Sequence, residues 1–190
     1  MSEVISKAIE YITELYKDNA DGHDLNHSMR VYKTASAIAG VYPDADAMVI
    51  GLSSLLHDVD DHKLFDTVDN ENAKCFLESQ AVPAEKIEEI CDVINAVSFS
   101  KNKGISPKTI EGCIVQDADR LDAMGAIGIA RTFAYGGKNG RSIEASMDHF
   151  YEKLLLLKDQ MNTPEAKKIA EERHQVLEDY IAELKREMDK

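Results

Sequence analysis

Apolar residues recur along this chain at steps of three and four, whereas sustained alternation with β-branched enrichment is hard to find, so the pattern predicts an all-α protein. The spacing predicts helices near 2–18, 24–40, 45–58, 69–80, 84–98, 107–121, 122–134, 143–158 and 164–187, a compact bundle of about eight or nine helices. Several starts carry chemical signals: Asp21 or Asp24 can cap the second helix, Ser106 precedes Pro107, and Thr163 precedes Pro164, each proline standing where its missing N–H does no harm. In the last helix Ile169, Val176, Tyr180 and Leu184 keep a step of about 3.6 residues, which predicts one docked stripe with Glu171, Glu172 and Lys185 facing water. The GGKNGR stretch, residues 136–141, reads as a flexible loop. Gly125 and Gly128, three apart in an apolar helix, read as sites of close packing.

Length narrows the organisation. The 190 residues, 44% hydrophobic, suit one domain over 1–190 with its C-terminal helix docked on the body. With 10 Gly, 4 Pro, no repeat and no low-complexity tract, no linker stands out. Twenty-two Lys and Arg against 35 Asp and Glu leave a formal charge of −13, which repels polyphosphate chains at long range and makes duplex nucleic acid an unexpected partner. A small anion remains admissible where a metal ion and a few cations reverse the local field. Cys75, Cys91 and Cys113 are odd in number with no CxxC pair, so neither a disulfide framework nor a thiolate zinc site is expected, and a reducing cytoplasm fits. The opening MSEVISKAIEY turns acidic at once and lacks the pattern of a signal peptide, and no apolar run approaches the roughly 20 residues that span a bilayer.

The chemistry concentrates where the apolar run SSLL ends in HDVDDHK, residues 57–63. His57 and Asp58 are adjacent and about 100° apart on a helix, so they share one ion only if it sits near the helix end. Such an ion needs further ligands from elsewhere in the chain. HDLNHSMRV offers His23 and His27, and VQDADRLDAMG offers Asp117, Asp119 and Asp122. Carboxylates gathered on otherwise apolar faces are costly unless a cation neutralises them.

These blocks resemble the HD-domain metal-dependent phosphohydrolases, whose signature is a His, an adjacent His and Asp, and a distant Asp. The matching positions are His27, the pair His57 and Asp58, and Asp119 within ADRL; GHDLNHSMRV, LLHDVDDHK, VQDADRLDAMGAIGIARTFAYGG and HFYEKLLLLK extend the likeness over roughly residues 20–175. The resemblance implies that His27, His57, Asp58 and Asp119 hold one divalent ion, Mn²⁺, Mg²⁺, Co²⁺ or Zn²⁺, and that Asp61, three residues after Asp58, serves as general base. Arg30, Lys63, Arg131, His149 and Lys153 are candidate cations for a substrate phosphate, and Asp122, one turn after Asp119, orients a ligand or contacts substrate. Asp117 is the weaker acidic candidate. His23 and Asp24 read as supporting groups that cap the helix or hold a ligand imidazole in its tautomer. His62 and His174 read as surface residues.

Such a site implies hydrolysis of a phosphorylated small molecule, most simply a nucleotide. No histidine lies between Lys63 and Gln116 to supply a second ion, and no GxxxxGK[ST] pattern occurs, since Thr132 stands six residues before Lys138. The expected reaction is cleavage of a (deoxy)nucleoside triphosphate with release of pyrophosphate. The alternatives are a deoxynucleoside monophosphatase and a non-catalytic nucleotide-sensing module. Oligomeric state is left open.

Overall fold

The computed structural model describes residues 3–17, 25–62, 64–97, 102 and 105–189. Among these residues there are nine α-helices, one 3₁₀ segment and no strand, as the three-and-four spacing predicts. Packing divides the chain into two units, Met1–Ala118 and Asp119–Lys190.

The first unit is built around α3 (Ala47–Leu56), whose residues Val49 to Leu56 are all buried. A helix without a polar face belongs in the middle of a core, and α1 (Glu3–Leu15), α2 (Leu25–Ala39) and α5 (Ala84–Val97) pack around it. Gly51 lets α1 come close: a Cβ there would lie 2.8 Å from Ile5 Cδ1. Asp46 starts α3, accepting from the N–H groups of Met48 (2.8 Å) and Val49 (3.1 Å), and its carboxylate also meets Lys86 Nζ of α5 at 2.9 Å. Burial alone would raise the Asp46 pKa, but Lys86 and these two N–H groups outweigh it and hold the carboxyl below its usual range. Residues α4 (Glu71–Ser79) pack on α5, whose Ile87, Ile90, Ile94 and Val97 form one buried stripe. The fourth helix begins two residues later than predicted because Asp69 and Asn70 adopt positive φ angles of 54° and 57°.

The sixth helix, α6 (Ile110–Asp122), starts after Thr109 rather than at Pro107. Thr109 Oγ1 accepts from Gly112 N–H at 3.1 Å, and Pro107 folds back over that first turn, where a Cβ on Gly112 would meet its ring at 2.7 Å. Gln116 then braces the helix inside the first unit by donating to the carbonyls of Ala96 (2.8 Å) and Ile105 (3.2 Å). The division between units falls within this unbroken helix.

The second unit holds α7 (Gly125–Lys138), α8 (Ile143–Glu152), the 3₁₀ segment Leu154–Gln160 and α9 (Pro164–Met188). Phe133, Phe150 and Tyr180 bring α7, α8 and α9 together, with ring centroids 5.8 to 6.4 Å apart. Thr163 caps α9 through Ala166 N–H with Pro164 in its first turn, as expected.

The structure departs from the sequence pattern at three further places. Gly136 to Lys138 are not loop but the last turn of α7, because Gly136 is buried where a Cβ would stand 2.3 Å from Ser146 Oγ of α8. The helix predicted over 143–158 breaks at Lys153 (φ −138°, ψ −61°) into α8 and the 3₁₀ segment, whose three-residue turn puts Leu154 and Leu157 together in the core. The docked stripe of α9 is Ala166, Ala170, Leu177 and Ile181, while Val176 is exposed, since small residues let the helix lie close to its neighbours. Gly125 and Gly128 do mark close contacts, under Arg173 of α9 and against the Ala123 carbonyl. No helix among the described residues is long and apolar enough to cross a membrane.

Candidate metal centre

The apolar helix α3 ends at His57, which keeps helical backbone angles and turns its ring back so that Nδ1–H donates to Ser54 O at 2.9 Å. A carbonyl only accepts, so Nδ1 holds the proton and Nε2 presents a lone pair. That lone pair points at His27 of α2, a buried residue whose Nε2 stands 3.2 Å away with the two rings inclined at 70°. Asp58 completes the convergence from the first unit, its Oδ2 lying 3.4 Å from His27 Nε2 and 3.3 Å from His57 Nε2. Two imidazole nitrogens this close repel unless a proton or a cation lies between them.

The helix that carries Val115 and Ala118 in the core runs on into Asp119, the residue that the resemblance assigns as the remaining ligand. Donor atoms held about 2.0 to 2.2 Å from one divalent ion stand about 3.0 to 3.5 Å apart in tetrahedral or octahedral arrangements. The 3.2 to 3.4 Å separations among His27, His57 and Asp58 match that spacing, and imidazole with carboxylate suits a borderline or hard divalent ion. The donor set therefore fits a metal ion. The Nδ1 bond to Ser54 is the kind of outer support that orients a ligand histidine.

Beyond Asp58 the acidic run splits into different roles. Asp60 is structural: its two oxygens accept from the N–H groups of Asn72 (2.9 Å) and Ala73 (3.0 Å) in the first turn of α4, while Asn72 Nδ2 donates to Val59 O at 2.7 Å. This cap at a distance replaces Asn70, whose side chain makes no capping bond. Asp61 follows one turn after Asp58, its N–H donating to Asp58 O at 3.1 Å, and its side chain stays partly accessible. His62 lies outermost, 3.6 Å from the Asp61 carboxylate and 76% exposed. Arg30 is half-buried one turn beyond His27. His23, Asp24 and Lys63 lie outside the described residues.

In the second unit Asp122 is buried and meets Arg131 Nη1 at 2.7 Å. Arg173 of α9, absent from the sequence expectations, donates to Leu121 O and faces Asp122; burial lowers its pKa and Asp122 opposes that shift. Its position on the buried stripe between Ala170 and Leu177 was the available signal, masked by the neighbouring run of charges. His149 is half-buried, its pKa lowered first by burial and then by Lys153 and Arg141. Lys153 is the residue at which α8 ends. Asp117 is fully buried in α6. His174, expected on the surface, is largely covered, with Nε2 3.4 Å from Glu178.

Residues 24–124, just over half of the chain, match the HD domain family. Bacillus subtilis YpgQ is 36% identical over 186 residues, spanning 94% of this chain and 90% of its own. A crystal structure of YpgQ in complex with ADP aligns with a TM-score of 0.81 and 33% identity over 96% of this chain and 97% of that one. An HD-superfamily hydrolase from Bacillus thuringiensis aligns with a TM-score of 0.80 and 38% identity over 98% and 97% of the two chains. A protein from Lactobacillus plantarum reaches 0.86 with 31% identity over 100% and 98%. The paired imidazoles, the neighbouring carboxylates and this match along the chain agree: the protein belongs to the HD domain family of metal-dependent phosphohydrolases.

Proposed function

We propose that this protein hydrolyses a (deoxy)nucleoside triphosphate between its α and β phosphates, releasing pyrophosphate and a nucleoside monophosphate. The observation that carries the reading is the meeting of His27 and His57 at 3.2 Å beside Asp58 at the end of the buried helix α3. His27, His57, Asp58 and Asp119 are the residues assigned to hold one divalent ion. When bound, that ion supplies Lewis acidity toward a phosphoryl oxygen and toward water.

The chain's own residues supply the remainder. Asp61 accepts a proton from the attacking water, whose oxygen forms the new bond to the α phosphorus as the bridging bond to the β phosphate breaks. Arg30 balances charge on the substrate phosphate. Arg131, His149 and Lys153 are assigned to the same class of contact, with Lys63, on the strength of the resemblance. Asp122 already engages Arg131, so its assigned role is to orient that cation. His23 and Asp24 are assigned as supports of the ligand shell. A reducing cytoplasm is the location we assign, on the odd number and wide spacing of Cys75, Cys91 and Cys113.

The ADP bound by YpgQ supports a substrate with at least two phosphates over a nucleoside monophosphate. The test is a panel of nucleoside mono-, di- and triphosphates offered to metal-stripped protein, with Mn²⁺, Mg²⁺, Co²⁺ or Zn²⁺ restored singly and the products identified. Pyrophosphate from triphosphates, lost in Asp58→Ala and Asp119→Ala proteins that still fold, is the expected result. Inorganic phosphate from monophosphates would replace this reading with a nucleotidase, and tight binding without turnover would replace it with a sensor.

A further inference from the structure

Tyr16 lies just past α1, 3% exposed, and its hydroxyl has no hydrogen-bond partner among the described residues. A buried O–H left without a partner is costly, so its retention calls for a water or ligand that meets it. The ring's neighbours connect it to the acidic turn. The Tyr16 ring packs on Phe65 with centroids 6.4 Å apart, Phe65 N–H donates to Asp61 O at 2.9 Å, and Asp61 N–H donates to Asp58 O at 3.1 Å. The Tyr16 ring thus packs on Phe65, which its backbone ties to the turn that carries the candidate ligand Asp58 and the candidate base Asp61.

We propose that Tyr16 is a positioning residue whose hydroxyl donates a hydrogen bond to an ordered water lodged against the Asp58 and Asp61 carboxylates, setting the orientation of those side chains for hydrolysis. Three features support this. The phenol can donate one bond, and a water held by it has two protons left for carboxylate oxygens, so the donor and acceptor inventories match. Burial favours the neutral phenol and keeps the group an O–H donor. A phenylalanine would serve the contact with Phe65 equally well, so packing alone gives no reason for the oxygen.

The inference rests on the assignment of Asp58 and Asp61 to the reacting centre, and its test separates the two. Tyr16→Phe keeps the ring and removes only the donor. With Mn²⁺ and dATP, kcat is expected to fall about five- to tenfold, the loss of one oriented hydrogen bond, while KM changes less than twofold and the thermal midpoint holds or rises. A purely structural hydroxyl would instead lower the midpoint and leave kcat alone. A crystal structure of the parent protein supplies a readout independent of turnover: a water within hydrogen-bonding distance of Tyr16 Oη and of a carboxylate oxygen of Asp58 or Asp61 is expected, and is lost or displaced in Tyr16→Phe. Unchanged kcat in Tyr16→Phe, or a Tyr16 hydroxyl that donates to another protein atom with no such water, overturns the proposal. If dATP is not hydrolysed by the parent, the nucleotide reading fails while the crystallographic water still decides the role of Tyr16.

Discussion

His27 and His57, thirty residues apart, face each other across 3.2 Å between α2 and α3, with the Asp58 carboxylate beside both nitrogens. Ser54 holds the His57 ring in the tautomer that leaves Nε2 basic, the form in which an imidazole serves as a metal ligand.

Donors that come from α2 and the end of α3 meet in the folded state only, so metal should stabilise the fold. At a free Mn²⁺ concentration about a hundred times the dissociation constant the gain is about 2.7 kcal/mol, which for a chain of this size raises the thermal midpoint by about 5 to 10 °C. Differential scanning fluorimetry of metal-stripped protein against added Mn²⁺, Mg²⁺, Co²⁺ or Zn²⁺ measures it. His27→Ala should abolish the shift. An equal shift in that variant would place the ion elsewhere.

Gly136 and Gly137 are neighbours in the last turn of α7 and should answer oppositely to alanine. At Gly136 the new methyl lies 2.3 Å from Ser146 Oγ, which is itself bonded to Ser142 O at 2.8 Å, so Gly136→Ala should destabilise by about 1 to 3 kcal/mol. Adding Ser146→Ala should recover part of that loss. At Gly137 nothing lies within 4 Å of the new methyl, and the helical position should gain about 0.5 to 1 kcal/mol. Urea titrations of the three variants check the signs.

That pair also shows where sequence reading stops. The glycine-rich stretch read as a loop because glycine's backbone freedom and its use in tight packing look alike in one dimension; only the neighbour, Ser146 of α8, separates them. The α9 stripe was misplaced for a related reason. Val176 outranks Arg173 in hydropathy, yet Arg173 points inward because Gly125 leaves room for its stem and Leu121 O accepts its guanidinium. The end of α3 was legible because an unbroken apolar run stopped at His57 and Asp58, and His27 was legible as a histidine on an otherwise apolar face. Asp60 was not, since its partners are N–H groups of α4, brought to it by tertiary packing.

His149 gives a pH dependence with a defined sign. Burial lowers its folded-state pKa below the usual histidine value near 6.5, with Lys153 and Arg141 adding to the shift and Glu152 opposing it. Above that value both states are neutral and the group is silent. As pH falls below about 6.5 the unfolded chain takes up the proton first, so stability drops until the folded-state pKa is passed. Thermal midpoints recorded from pH 8 to pH 5 should decline less steeply in His149→Gln than in the parent. Parallel curves would show that this imidazole is solvated in the folded protein.

Asp60 and Asp61 are adjacent carboxylates with separable consequences. Asp60→Ala removes the acceptors for two N–H groups at the start of α4 and should cost about 1 to 2 kcal/mol of stability, as loss of a helix cap does. Its kcat should stay within about twofold of the parent at a temperature where both are folded, because Asp60 spends both oxygens on α4. Loss of Asp61 as the proposed base should lower kcat by about 10²- to 10⁴-fold in Asp61→Asn, which keeps the size of the side chain and removes its basicity. Steady-state kinetics alongside denaturation for both variants distinguishes the two jobs. If Asp61→Asn turned over at the parental rate while Asp60→Ala lost activity at full stability, the proton acceptor would be Asp60, and the cap on α4 would have to reorganise during turnover.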